Sequence, residues 1–174
     1  AQLELNLKEN PSFLQGKILL GEIQVEKNDF KNSLVNFQQA MSASKDKNVT
    51  KLALLALGNY YLKQELWAKA KPFYTQANQK DPENYDIHFA LARIDIALGQ
   101  INDAQEHLHQ MQKINPESVE AKILQAGILV QQGNHDKAID VYREVLKTKE
   151  SDYETRIALA KVFMEKEKYS EALN

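Results

Sequence analysis

Four alanines, Ala70, Ala104, Ala138 and Ala172, stand 34 residues apart, and Gly58, Ala92, Ala126 and Ala160 keep the same interval. A fixed period of this length admits few folds. Each unit must be one supersecondary element that buries its apolar face only against its neighbours. Pro82 and Pro116 share the interval. Upstream, Gly21 to Gly58 and Ser33 to Ala70 are both 37 apart, so three residues are inserted near Asn48 to Thr50. The pattern on either side is undisturbed, which predicts that the insertion lies in a loop. With only 6 Gly and 4 Pro among 174 residues, and an abundance of Ala, Leu, Gln, Lys and Glu, the units should be helical.

Full units run from 14 to 47, 51 to 84, 85 to 118 and 119 to 152. Each divides into two amphipathic halves of about a dozen residues. The halves are parted by a short polar hinge at Lys27-Asn28-Asp29, Gln64-Glu65, Gly99-Gln100 and Gly133-Asn134. The unit is therefore read as an antiparallel helix pair. Small residues at unit positions 8 and 20, such as Gly58 with Ala70 and Ala92 with Ala104, let the two backbones approach closely. Large residues at position 24, Phe37, Tyr74, Leu108 and Tyr142, are expected to fill the space toward the next pair.

The second unit carries Leu57-Gly58, Tyr61, Ala70, Tyr74, Ala77 and Asp81-Pro82. In period and residue types this resembles the tetratricopeptide repeat family, and the resemblance covers the whole chain. It implies an all-α fold, a right-handed superhelical solenoid of antiparallel helix pairs. Departures are local: position 11, normally aromatic or apolar, is Gln24 in the first unit and Asp95 in the third, and the closing proline is replaced by Lys45 and Glu150 in the first and fourth. Residues 1 to 13 read as the end of a preceding repeat, with Pro11 at its position 32, and residues 153 to 174 as a truncated one. The chain opens on Ala1, and neither end resembles a polar cap. A piece of a longer protein is the expectation. The stub from Tyr169 to Asn174 should fray first, and end-to-end association through uncapped faces would be its alternative protection.

Composition removes several classes of function. Lys+Arg number 22 against 24 Asp+Glu, a net charge of −2, so there is no basic stripe for nucleic acid. Without cysteine there is no disulfide, thiolate zinc site or cysteine nucleophile, and the compartment is undecided. The longest apolar run, Leu52 to Leu57, falls far short of the ~20 residues of a membrane span. His107 and His109 are two apart on a helix and cannot chelate as an i, i+4 pair, while His88 and His135 lie in different units, so no metal and no cofactor are assigned. Gly-x-Ser-x-Gly, phosphate-cradling glycine loops and His-Glu-x-x-His are all absent. Asp95 sits where the two helices of a unit pack, and is read as reaching a neighbouring donor or the hinge solvent in preference to a ligand. Trp67 at a hinge is read as packing. Pro72, some five residues into its helix, should delay or bend that helix.

What the resemblance adds is an inner surface. In this family positions 2, 5, 9 and 12 of each first helix face a concave groove. Carried onto this chain, positions 5 and 12 are Ile18 and Val25, Leu55 and Leu62, Phe89 and Ile96, Ile123 and Val130, and Ile157 and Met164. Position 9 varies: Glu22, Asn59, Arg93, Gly127 and Lys161. An apolar track edged with mixed charge suits an amphipathic helix or extended peptide, although the same spacing also describes interhelical core. The carboxylate clamp of chaperone-binding members is not expected, because its positions hold Leu55, Asn59, Ala90, Glu120 and Leu124, of which only Asn59 matches. The resulting expectation is a non-catalytic scaffold that binds a peptide or helix of a partner protein. Its alternative is a structural spacer of a larger envelope, secretion or assembly protein.

Overall fold

The structure is a computed structural model and describes residues 13–165. Nine helices fill them: α1 Leu14–Glu26, α2 Phe30–Ala43, α3 Lys47–Leu62, α4 Trp67–Lys80, α5 Tyr85–Ala97, α6 Ile101–Ile114, α7 Val119–Gln131, α8 His135–Thr148 and α9 Tyr153–Glu165. Among the described residues there is no strand. The chain divides into two compact units, Ala1–Ile87 and His88–Asn174, with the boundary inside α5.

One local device makes every pair. At each hinge a single residue takes a left-handed conformation, Asn28 (φ 59°), Glu65 (φ 57°), Gly99 (φ 71°) and Gly133 (φ 74°), all at the same place in the period. The residue after it donates its N–H five residues back: Asp29 to Gln24 (2.8 Å), Leu66 to Tyr61 (3.0 Å), Gln100 to Asp95 (2.8 Å) and Asn134 to Leu129 (2.8 Å). The hinge residue itself donates three back, as Glu65 does to Leu62 (2.9 Å). This is the Schellman closure, which satisfies carbonyls that a helix end would otherwise leave bare. The same second residue then opens the next helix, since its carbonyl accepts from Ser33, Ala70, Ala104 or Ala138 four residues on. A chain so closed reverses direction within three residues, and an antiparallel pair follows. Of the four hinge residues only Glu65 is neither glycine nor asparagine, and its Cβ resists that conformation. Glu65→Gly should therefore stabilise the protein by about 1 kcal/mol after the entropy of glycine is subtracted. Urea unfolding at neutral pH reads this directly, and an unchanged midpoint would mean that the hinge carries no strain.

Within residues 13–87 the core joins α1, α2 and α3, with Phe73 of α4 packed against it. Ile18, Val25, Phe37, Ala40, Val49, Ala53, Ala56, Leu57 and Tyr60 are buried together. Tyr60 meets both Phe30 (5.9 Å) and Phe37 (6.3 Å) edge-on. Within residues 88–165 Ala126 of α7, Ala138, Ile139 and Tyr142 of α8, and Val162 and Phe163 of α9 form a second core.

Two sequence expectations are corrected and a third is extended. The inserted residues near Asn48 to Thr50 are helical: α3 begins at Lys47, where Asp46 Oδ1 accepts from the N–H groups of Asn48 (2.6 Å) and Val49 (3.3 Å). Residues added at a helix start lengthen it without shifting the register that follows. Pro72 does not delay α4, which is helical from Trp67 to Lys80. Pro72 and Ala68 are both exposed, so the Ala68 carbonyl that loses its helical donor can turn to water. Position 24 does reach toward the next pair, as Phe37 does to Tyr60 and Tyr142 to Phe163, but it also packs within its own: the rings of Phe37 and Tyr74 lie where a Cβ on Gly21 and Gly58 would stand, and for Gly58 the ring is 2.6 Å from that point. The two glycines admit a ring as well as a backbone. The expected fraying of the stub from Tyr169 to Asn174 falls outside the described residues.

Candidate functional site

The first helices of the period are α1 and α3 in one unit and α5, α7 and α9 in the other. Position 9 lies on the surface of nearly all of them: Glu22, Asn59, Arg93 and Lys161 are exposed, and Gly127 is half-buried. The apolar rows beside it are graded. Ile18 (5% exposed) and Val25 (8%) belong to the core; Leu55, Leu62, Phe89, Ile96, Ile123 and Val130 are half-buried; Ile157 (38%) and Met164 (52%) are open. The apolar rows thus differ in burial from helix to helix.

Of the position-9 residues of the first unit, Asn59 is tied to the fold and Glu22 is partly desolvated. The Tyr74 hydroxyl donates to Asn59 Oδ1, fixing that amide to the second helix of its own pair. Partial burial pushes the Glu22 carboxyl above its ordinary 4.5. In the second unit, the Arg93 guanidinium lies over the Phe89 ring, 5.6 Å from its centre, as residues four apart on a helix can. Among the described residues neither Arg93 nor Lys161 has an ion-pair partner, whereas Lys122 holds Glu144 at 2.7 Å and Lys51 holds Asp81 at 2.8 Å.

The polar departures at position 11 resolve into pairs across the hinge. Asn36, at position 23, donates its Nδ2 to Gln24 Oε1 (2.8 Å). Fully buried Asp95 faces His107, again position 23, with Oδ2 3.7 Å from Nε2. In the second pair the same two positions are Tyr61 and Phe73, whose rings stack at 5.5 Å and 16°. In the fourth they are Leu129 and Val141, both packed on the core. Amide meets amide, acid faces imidazole and ring meets ring, while the aliphatic pair shares one core. Asp95 thus has an imidazole nitrogen beside it, at a distance longer than a hydrogen bond. What sequence reasoning missed is His88. It is 3% exposed, and its Nδ1 lies 3.0 Å from Nδ1 of His107, so that one ring's N–H donates to the other. The twelve-residue spacing between positions 11 and 23 signals the Asp95–His107 pair once the repeat is aligned with itself, but His88, at position 4, carries no such signal.

Asp95, His107 and His88 form a line and not a cage, and among the described residues no group of three or more acidic or histidine side chains is placed to hold a metal. Among the same residues no helix is long and apolar enough to cross a membrane.

Comparison with known proteins agrees with this geometry. The family model of the tetratricopeptide repeat matches residues 61–128 and 129–174. The chain is 28% identical over 123 residues to human DnaJ homolog subfamily C member 3, a match that covers 69% of this chain and 24% of that protein. It is 27% identical over 99 residues to human protein O-mannosyl-transferase TMTC1, covering 57% of this chain and 11% of the other. The chain thus spans a quarter or less of these curated relatives. A crystal structure of a tetratricopeptide repeat protein from Parabacteroides merdae superposes with a TM-score of 0.86 at 18% identity, covering 98% of this chain and 67% of that one. YrrB, described as having an unusual peptide-binding site, superposes with a TM-score of 0.73 at 20% identity, covering 99% and 88%. At such identities these structures establish the fold.

Proposed function

Because this chain belongs to the tetratricopeptide repeat family, whose fold serves generally as a non-catalytic protein-interaction scaffold, we propose that its first-helix face binds a peptide or helix of a partner protein. The observation that supports this most is in the second unit. There the rows at positions 5 and 12 stay half-buried or open while Arg93 and Lys161 stand exposed beside them. Apolar side chains that the fold leaves partly uncovered, edged by cations with no partner among the described residues, are suited to a segment that is itself apolar on one side. The peptide site attributed to YrrB is a precedent for the fold and not for these residues. Catalysis is not part of this reading, and the named activity of the transferase relative belongs to a protein of which this chain matches 11%.

A structural role fits the first unit better. Ile18 and Val25 are sunk in its core, and Asn59 is occupied by Tyr74. The alternative, that the chain is a structural spacer of a larger protein, takes its support from these residues, and in the proposed reading binding falls to the second unit. Phe89→Ala combined with Arg93→Glu should weaken partner capture at least tenfold, since aromatic and arginine anchors carry ~2 kcal/mol or more at interfaces. Leu55→Ala with Asn59→Asp should change it little. The two double variants are compared in one pull-down, with circular dichroism to verify folding. Equal binding by wild type and the Phe89/Arg93 variant would refute the assignment.

A further inference from the structure

Of the five glycines whose surroundings the structure resolves, four have a reason within the fold. Rings of Phe37 and Tyr74 occupy the Cβ space of Gly21 and Gly58, and Gly99 and Gly133 carry the positive φ of their hinges. Gly127 has neither reason. It lies mid-helix in α7, without positive φ, and a Cβ there would meet only Ile96 Cδ1 at 3.9 Å, an ordinary contact. Alanine would fit and would make a better helix by about 1 kcal/mol. The fold does not require this glycine, and it weakens its own helix.

Its position shows what the missing side chain opens. Gly127 is the position-9 residue of α7, the equivalent of Arg93 on α5 and Lys161 on α9, and where those helices present an exposed cation α7 presents only backbone. Ile123 and Val130, four before and three after on the same helix, are half-buried and stand at either end of the gap. The Ile96 methyl walls it from α5. An apolar floor and walls, flanked by a guanidinium held over Phe89 and by a lysine, call for an apolar side chain with carboxylates beside it.

We propose that Gly127 is the floor of a notch taking one apolar side chain of a partner peptide whose flanking residues are acidic, the carboxylates meeting Arg93 and Lys161. The proposal rests on the first-helix binding face above and specifies its ligand. Gly127→Leu fills the notch from a helix-favouring residue and should leave the fold intact, with a higher unfolding midpoint.

A phage-displayed library of random 12-residue peptides, panned on the wild-type chain, provides the probe, and the enriched peptides are then synthesised and titrated by fluorescence anisotropy. The expected sequences have a Leu, Ile, Met or Phe with Asp or Glu on both sides. Their affinity should fall at least tenfold on Gly127→Leu, fall similarly on Arg93→Glu with Lys161→Glu, and weaken as salt rises. Enriched peptides that are basic or neutral, or that bind Gly127→Leu as well as wild type, overturn the notch. If they are still lost on Phe89→Ala with Arg93→Glu, the binding face survives without it. Failure to enrich any peptide, or indifference of the peptides to every one of these substitutions, overturns both.

Discussion

Replacing His107 with alanine should destabilise the protein by about 3 kcal/mol, because the fully buried Asp95 carboxylate loses the imidazole 3.7 Å away. The same change takes from buried His88 the ring that shares its 3.0 Å hydrogen bond. Breaking a buried polar pair leaves the survivor desolvated; replacing the whole group with apolar residues does not. The repeat supplies its own apolar version of the group. Leu54 stands where His88 does, and Leu129 and Val141 stand where Asp95 and His107 do. The triple substitution His88→Leu, Asp95→Leu and His107→Val should accordingly return stability to that of wild type or above it. Urea unfolding of the four proteins, wild type, His107→Ala, Asp95→Leu and the triple variant, measures the coupling. A His107→Ala loss below about 1 kcal/mol would show that the buried acid depends on some other group.

Gly58→Val should cost about 3 kcal/mol, whereas Gly127→Ala should cost nothing or stabilise. Both glycines are in helices with ordinary backbone, so helix propensity favours either substitution. The difference is steric. At Gly58 the Tyr74 ring already lies 2.6 to 3.3 Å from the point a Cβ would occupy. Tyr74 cannot swing away freely, since its hydroxyl is bonded to Asn59 and the ring is buried. A branched side chain must push the α3 and α4 backbones apart, and overpacking of that kind costs 1 to 3 kcal/mol or roughly the upper end when the obstacle is a fixed ring. Paired melts of Gly58→Val and Gly127→Ala make each substitution the control for the other. Equal behaviour of the two would contradict both the ring packing and the open notch.

Much of the fold was written in local pattern. The period, the four hinges, the helical content and the need for small residues at positions 8 and 20 each depend on residues near in sequence or on a regular interval. A hinge that requires left-handed backbone also announces itself, as Gly99, Gly133 and Asn28 do, although Glu65 at the equivalent place does not. The family resemblance was legible for the same reason: it consists of residue types at fixed spacing, and the match over residues 61–128 and 129–174 is a match of that pattern.

Tertiary structure decided the rest. Whether Ile18 or Met164 is core or surface follows from which neighbouring helix covers it, and the two occupy alike apolar rows in the sequence while differing from 5% to 52% exposure in the case of Ile18 and Met164. The direction of Phe37 and Tyr74 depended on how closely two helices lie, and the tolerance of Pro72 on which side of α4 meets water. His88 was brought to His107 across nineteen residues of chain by packing alone. Periodicity arises from backbone geometry, which acts over one or two helical turns and is visible in the sequence; burial and side-chain pairing arise from excluded volume and desolvation between helices, which have no value until the helices are placed.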